Sequence, residues 1–231
     1  MLPRTTMLWL CLVPASALAQ MQVVGDGACP KFAVDIAAFA TCDGERVASP
    51  AGLPALTIAA VPLAEVPPHK RSDGDLYISA AEAHRIRRDY PGQVVLVDIR
   101  SRVEAAYVGQ PDMVDIHVPY LEPALPLQWT AASGSIAMQR NPRFVDEIKA
   151  ALARLDGPAE PTILLLCRSG QRSAIAADAL AAAGLTRVYT VVDGFEGDIG
   201  PDGRRNVNGW KVAGGRWQSR ALPHLTSASA L

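Results

Sequence analysis

A chain of 231 residues with 49% hydrophobic residues and a formal net charge of −1 can bury one substantial core but is too short for two domains of full size. Its 22 basic and 23 acidic residues form no basic run and no basic amphipathic stretch. Composition therefore excludes a nucleic-acid binder or an anionic-lipid binder that works through overall charge.

Residues 1–19 have the pattern of a secretory signal: Arg4 as a positive start, Met7–Val13 as an apolar core, and Ala17-Leu18-Ala19 as a small-x-small cleavage site. The apolar core is well short of the about 20 residues that span a bilayer, so no stable membrane insertion is expected. Leu10 before Cys11 is too large for a lipidation site. A periplasmic or secreted location is the expectation, and an oxidising compartment permits a disulfide. Residues 20–75 read as an N-terminal extension and linker, with Pro67-Pro68 and the turn signal Asp73-Gly74-Asp75 near its end. Leu56–Val61 is a short strand candidate in this zone. Cys29 and Cys42 lie in the same zone and are the candidate disulfide, which leaves Cys167 as the odd thiol; three free thiols are the alternative.

The main domain is expected over residues 76–223, followed by a tail over 224–231. Ser79, with Glu82 three residues on, has the form of a capping box, and the helix it opens, 80–89, ends at Pro91-Gly92. Val94-Val95-Leu96-Val97 is a continuous apolar run, the mark of a strand buried on both faces, with Asp98 at its end. A short helix over 103–107, a strand over 113–118 and a long connection over 119–141 containing Trp129 come next. Asn141-Pro142 reads as N-cap and first residue of a helix over 143–155. Ile163–Leu166 is the third buried strand, and a helix over 173–183, with Ser173 placed to cap it, stops at Gly184. Val188–Val192 is the fourth strand; Asp193-Gly194 turns the chain into a Gly/Asp-rich loop that runs to Asn208. Strands alternate with helices and are apolar throughout. The fold class is therefore α/β, a mostly parallel central sheet with helices on both faces. Ligands of such sheets bind beyond the carboxyl ends of the strands, where Asp98, Cys167 and Asp193 are expected to meet.

Cys167-Arg168-Ser169-Gly170-Gln171-Arg172-Ser173 connects a buried strand to a helix. A thiol there faces loop amides and a helix N-terminus, which bind an anion and lower the thiol pKa from its usual value of about 8.5. Gly170 permits a positive φ or a close backbone approach. Arg168 and Arg172 supply charge and forked donors for an oxyanion. The chemistry this points to is a cysteine nucleophile acting on a small anionic substrate. The four histidines, His69, His84, His117 and His224, are scattered, and Asp193, Glu196, Asp198 and Asp202 lack calcium-loop spacing. Neither a metal nor a cofactor is expected.

Val95-Leu96-Val97-Asp98-Ile99-Arg100, followed by Glu104, Tyr107 and Gly109, resembles the first signature of rhodanese domains, and Cys167–Ser173 resembles their active-site loop. Tyr189–Gly194, then Gly209-Trp210-Lys211 with Ala213-Gly214, is similar to their closing element. The resemblance implies a rhodanese-like fold and a sulfurtransferase. Cys167 would attack the outer sulfur of a small anionic donor such as thiosulfate and carry it as a persulfide to a thiol, a protein acceptor or cyanide. It further implies that the amides of Arg168, Ser169, Gly170, Gln171, Arg172 and Ser173 hold the sulfur. Arg168 and Arg172 would bind the donor, and Asp98 and Arg100 would brace the loop. Two departures stand out: Gly109-Gln110-Pro111-Asp112 replaces the family's usual Gly-His-Ile-Pro-Gly-Ala, and residues 195–208 intervene before the final tryptophan. A persulfide carrier or binding module of the same fold in a periplasmic redox system is the second reading. A cysteine phosphatase or arsenate-type enzyme is the third, although four residues separate Cys167 from Arg172, one fewer than such phosphatases use.

Overall fold

The computed structural model describes residues 41–42, 45–46, 55–131 and 134–219. The chain divides into two compact units, Met1–Leu53 and Pro54–Leu231. In the first, Thr41–Cys42 pairs antiparallel with Glu45–Arg46. The expected signal over 1–19 and the Cys29 partner of the candidate disulfide lie outside the described residues, and of Cys42 only the backbone is described.

The second unit is built on five strands: β1 (Tyr77–Ile78), β2 (Val94–Asp98), β3 (Ile116–His117), β4 (Thr162–Leu166) and β5 (Val188–Val191). They form one parallel sheet in the order β1-β5-β4-β2-β3. Every residue of β2 and β4 is buried, because both faces are covered. On one face Val95, Val97, Ile163, Leu165 and Cys167 pack with Phe144, Ile148, Ala176, Ala177 and Leu180. On the other, Val94, Leu96, Leu164 and Leu166 pack with Ile86, Phe195 and Trp210. Two-sided burial explains why these strands read as unbroken apolar runs; each fully buried leucine stabilises the fold by about 1.5–3 kcal/mol. Helices α1 (Ala80–Asp89), α2 (Arg102–Val108), α3 (Phe144–Leu152) and α4 (Gln171–Ala182) connect the strands. α1 lies on the Trp210 face, and α3 and α4 lie on the Cys167 face.

Several expectations shift. The unit begins at Pro54 rather than near Leu76, because Val66 (2% exposed), Lys70 (4%) and Ser72 (7%) are buried and β1 forms the sheet edge. The strand candidate at 56–61 reduces to a bridge from Ala60 to Ile78. The strand candidate at 113–118 shortens to β3, because the Asp115 carboxylate takes the Leu96 N–H (2.8 Å) and pairs with Arg87. α3 is capped at Arg143, not Asn141: the Asn141 side chain accepts from Arg143 N (3.0 Å) and makes a turn ahead of the helix. α4 starts at Gln171 with Gly170 as its N-cap, so Ser173 lies inside the first turn and donates to Gly170 O (2.8 Å) instead of capping. The long connection holds two hairpins, Leu121–Pro123 with Met138–Arg140 and Trp129–Thr130 with Ser135–Ile136. The departure at Gln110–Pro111 is a strand paired with Trp217–Gln218.

Candidate active site

In-register pairing of Leu166 with Asp98 brings β2 and β4 to a common carboxyl end. Cys167 is the first residue past β4. Ile99 N donates to Leu166 O (2.9 Å), Phe195 N to Cys167 O (2.8 Å), and Glu196 N to Arg168 O (2.9 Å). These bonds fix the start of the loop against the turn that follows β5. Two glycines allow the close fit. Gly170 has φ +94°, and a Cβ on it would lie 2.1 Å from Val192 O; Gly194 has φ +62°, and a Cβ there would lie 2.6 Å from Cys167 O. The left-handed bend at Gly170 turns its N–H onto Cys167 Sγ at 3.1 Å. Ser173 Oγ lies 3.7 Å from the same sulfur.

The thiol is 1% exposed. Hydrocarbon of the core packs against one side of it, while Gly170 N and Ser173 Oγ, at the N-terminus of α4, face it from the other. Two clefts, of about 150 and 250 Å³, are lined by residues other than this loop, the first including Arg102, Arg140 and Arg143 and the second Arg87, Val94 and Leu152.

The two loop arginines separate. Arg168 is exposed and its guanidinium has no hydrogen bond or ion pair among the described residues. Arg172 instead forms a forked pair with Glu104, Nη1 to Oε2 at 2.7 Å and Nη2 to Oε1 at 2.6 Å. Burial pushes the Glu104 carboxyl up, but its hydrogen bonds with Arg172 and the arginine charge outweigh that, and its pKa lies below the usual value. Burial likewise works to lower the Arg172 pKa; the Glu104 bonds reverse it and raise the pKa, with smaller contributions from the charges of Cys167 and Asp98. Ser169 is half-buried and Gln171 exposed.

Asp98 and Arg100 are fully buried and pair with each other, Nη2 to Oδ2 at 2.6 Å. Arg100 also donates to Gly109 O (2.7 Å) and lies 3.9 Å from the centre of the Phe195 ring. Burial raises the Asp98 pKa, and Arg100 more than offsets it, leaving the carboxyl below its ordinary value. The pair braces Phe195, whose N–H holds Cys167 O, so its effect on the thiol passes through backbone. Asp193 also reaches this end of the sheet, but its carboxylate accepts from Ala80 N (2.7 Å) and Gly209 N (2.9 Å). Burial raises its pKa despite these bonds.

Sequence reasoning missed Lys70. Its Nζ donates to Val192 O (2.9 Å) and Asp198 Oδ1 (2.6 Å), which pins the backbone that Gly170 abuts. A lone lysine in a proline-rich segment carries no local signal for that. The Glu104–Arg172 pairing was equally hidden, since the partners are 68 residues apart. Among the described residues no cluster of three or more His, Cys, Asp or Glu side chains is placed to hold a metal. No described helix is long and apolar enough to cross a membrane.

A family model described as "Rhodanese-like domain" matches residues 79–198. The chain is 33% identical over 123 residues to the uncharacterized protein RP600 homolog of Rickettsia rickettsii, spanning 53% of this chain and 81% of that protein. Among solved structures it is similar to Rv0390 from M. tuberculosis, at 32% identity and TM-score 0.47, covering 62% of this chain and 96% of that one. It is also similar to the polysulfide-sulfur transferase homodimer from Wolinella succinogenes, at 19% identity and TM-score 0.37, covering 64% and 82%.

Proposed function

The chain belongs to the rhodanese-like family, and on that footing we propose that its domain is a sulfurtransferase that carries sulfane sulfur as a persulfide on Cys167. The observation that supports this best is the 3.1 Å contact of Gly170 N with Cys167 Sγ at the N-terminus of α4. An amide donor and a helix N-terminus both favour negative charge on sulfur.

In the proposed cycle the Cys167 thiolate attacks the outer sulfur of thiosulfate. A new S–S bond forms, the donor S–S bond breaks, and sulfite leaves with its electron pair. The terminal persulfide sulfur is held by the loop amide as a developing anion. Cyanide or an acceptor thiolate then attacks that sulfur, giving thiocyanate or a new persulfide and regenerating the Cys167 thiolate. No electrons are left over, so no cofactor is needed. Arg168, exposed and unpaired, is the group we assign to the anionic end of the donor. Arg172, which the sequence suggested for the same task, instead ties α4 to α2 through Glu104. Asp98 and Arg100 are positioning residues acting through Phe195. The loop length disfavours the phosphatase reading, because four residues rather than five separate Cys167 from Arg172.

Thiocyanate formation from thiosulfate and cyanide, compared between the wild-type chain and C167S, tests the reading: turnover is expected only with the thiol. Charging solely by a protein persulfide donor would favour the carrier reading, and turnover of a phosphate ester without any sulfur donor would contradict both. We further propose a periplasmic or secreted protein, with residues 1–19 removed and Cys29 bonded to Cys42. N-terminal sequencing of the exported chain and a thiol count on it test this part.

A further inference from the structure

Glu104 reaches the loop already anchored. Its Oε2 accepts from Ser101 N (2.9 Å) and Ser101 Oγ (3.0 Å), while Ser101 Oγ accepts from Glu104 N (3.1 Å). This is a complete capping box at the start of α2. The box sets the carboxylate in place independently of Arg172, and the forked pair then closes over both of its oxygens. The two side chains are only 19% and 16% exposed, so opening the pair to release Arg172 toward a ligand would leave a charge uncompensated in a largely buried place. Arg172 directly precedes Ser173, whose Oγ is 3.7 Å from Cys167 Sγ, and Arg172 interacts electrostatically with Cys167. The neighbouring Asp98–Arg100 pair is also internally neutral. Of the loop's guanidinium groups, only Arg168 remains available to a ligand.

We propose that Glu104 is a specificity-determining residue of this site: by neutralising Arg172 it leaves Arg168 as the one guanidinium of the Cys167 loop without an ion pair, so the site favours singly charged sulfane donors, such as small organic persulfides, over doubly charged thiosulfate. This rests on the sulfurtransferase reading and narrows its donor class. With an organic persulfide the transfer balances in the same way. The Cys167 thiolate attacks the terminal sulfur, the donor S–S bond breaks, its electron pair leaves on the organic thiolate, and the S–H proton of the transferred sulfur passes to that thiolate, leaving Cys167 as the persulfide anion.

The test uses the full chain as wild type, E104Q, E104Q/R172Q and R168Q. Glutamine preserves the capping box, and thermal unfolding checks that each variant folds. Two ratios are measured: kcat/KM for thiosulfate over cysteine persulfide, and the rate of Cys167 alkylation by anionic iodoacetate over neutral iodoacetamide. E104Q frees Arg172 and should raise both ratios about threefold to tenfold, the effect of one added charge near the sulfur. E104Q/R172Q removes a neutral pair and should return both close to wild type, while R168Q should lower both. The proposal is overturned if E104Q leaves the ratios unchanged or lowers them, or if the double variant falls as far as R168Q. Should the wild-type chain accept sulfur from neither donor, the sulfurtransferase reading fails, and the alkylation ratio still decides whether Glu104 governs the charge at Cys167.

Discussion

Replacing Gly170 with alanine should damage both the fold and the chemistry of the Cys167 loop. At φ +94° the new Cβ would lie 2.1 Å from Val192 O, 2.7 Å from Val192 C and 3.0 Å from Val192 Cα. All three are backbone atoms, and that backbone is itself held: Val192 N donates to Ile78 O (3.0 Å) and Lys70 Nζ donates to Val192 O (2.9 Å). Left-handed strain contributes about 1–2 kcal/mol and overpacking about 1–3 kcal/mol. The expected loss of stability is therefore about 2–5 kcal/mol. If the loop shifts to relieve the clash, Gly170 N leaves Cys167 Sγ. Turnover should then fall by about 10²–10³-fold, the usual effect of removing one preorganised donor. Urea unfolding and the thiosulfate–cyanide assay read the two effects separately. A G170A chain with the wild-type urea midpoint and wild-type turnover would refute the reasoning, because it would mean that the loop neither abuts Val192 nor depends on this amide.

D98N should destabilise the domain by about 3–5 kcal/mol, since it leaves Arg100 buried and unmatched; D98N/R100M should cost less, and chemical unfolding of both variants checks the order. K70M should reduce stability by about 1–2 kcal/mol, a figure discounted because Asp198 is 42% exposed, and should also lower turnover through the Val192 backbone, which paired unfolding and activity measurements would show. The folded pKa of Glu104 is depressed, so its contribution to stability is complete above its unfolded value of about 4.3 and is lost as pH falls through the lower folded value. The wild-type chain should accordingly exceed E104Q in urea midpoint at pH 7, and the gap should narrow below about pH 4.

The parts of the fold that were legible in the sequence are those fixed by local pattern. Val94–Val97 and Ile163–Leu166 announced themselves because both faces of β2 and β4 are buried, and the loop after β4 followed from its glycine and cations. Only half of the expected capping box of α1 forms: Ser79 Oγ accepts from Glu82 N (3.2 Å), but the Glu82 carboxylate goes to Ala59 N and Arg85. What stayed hidden is set by distant partners. β1 is two residues long and exists because Tyr77 and Ile78 pair with Thr190 and Val191. α4 starts two residues before Ser173, the usual type of cap, because a left-handed glycine, Gly170, opens the helix. Arg172 looked like a ligand for anions because nothing near it in sequence reveals that Glu104 occupies its fork.

In the proposed cycle Cys167 Sγ is the atom that accepts sulfur. Intact-mass analysis of the full chain after incubation with thiosulfate or cysteine persulfide should show a gain of one sulfur atom, mapped to Cys167, removed by cyanide and absent from C167S. A chain that gains no sulfur from either donor, or gains it equally when Cys167 is serine, would contradict it.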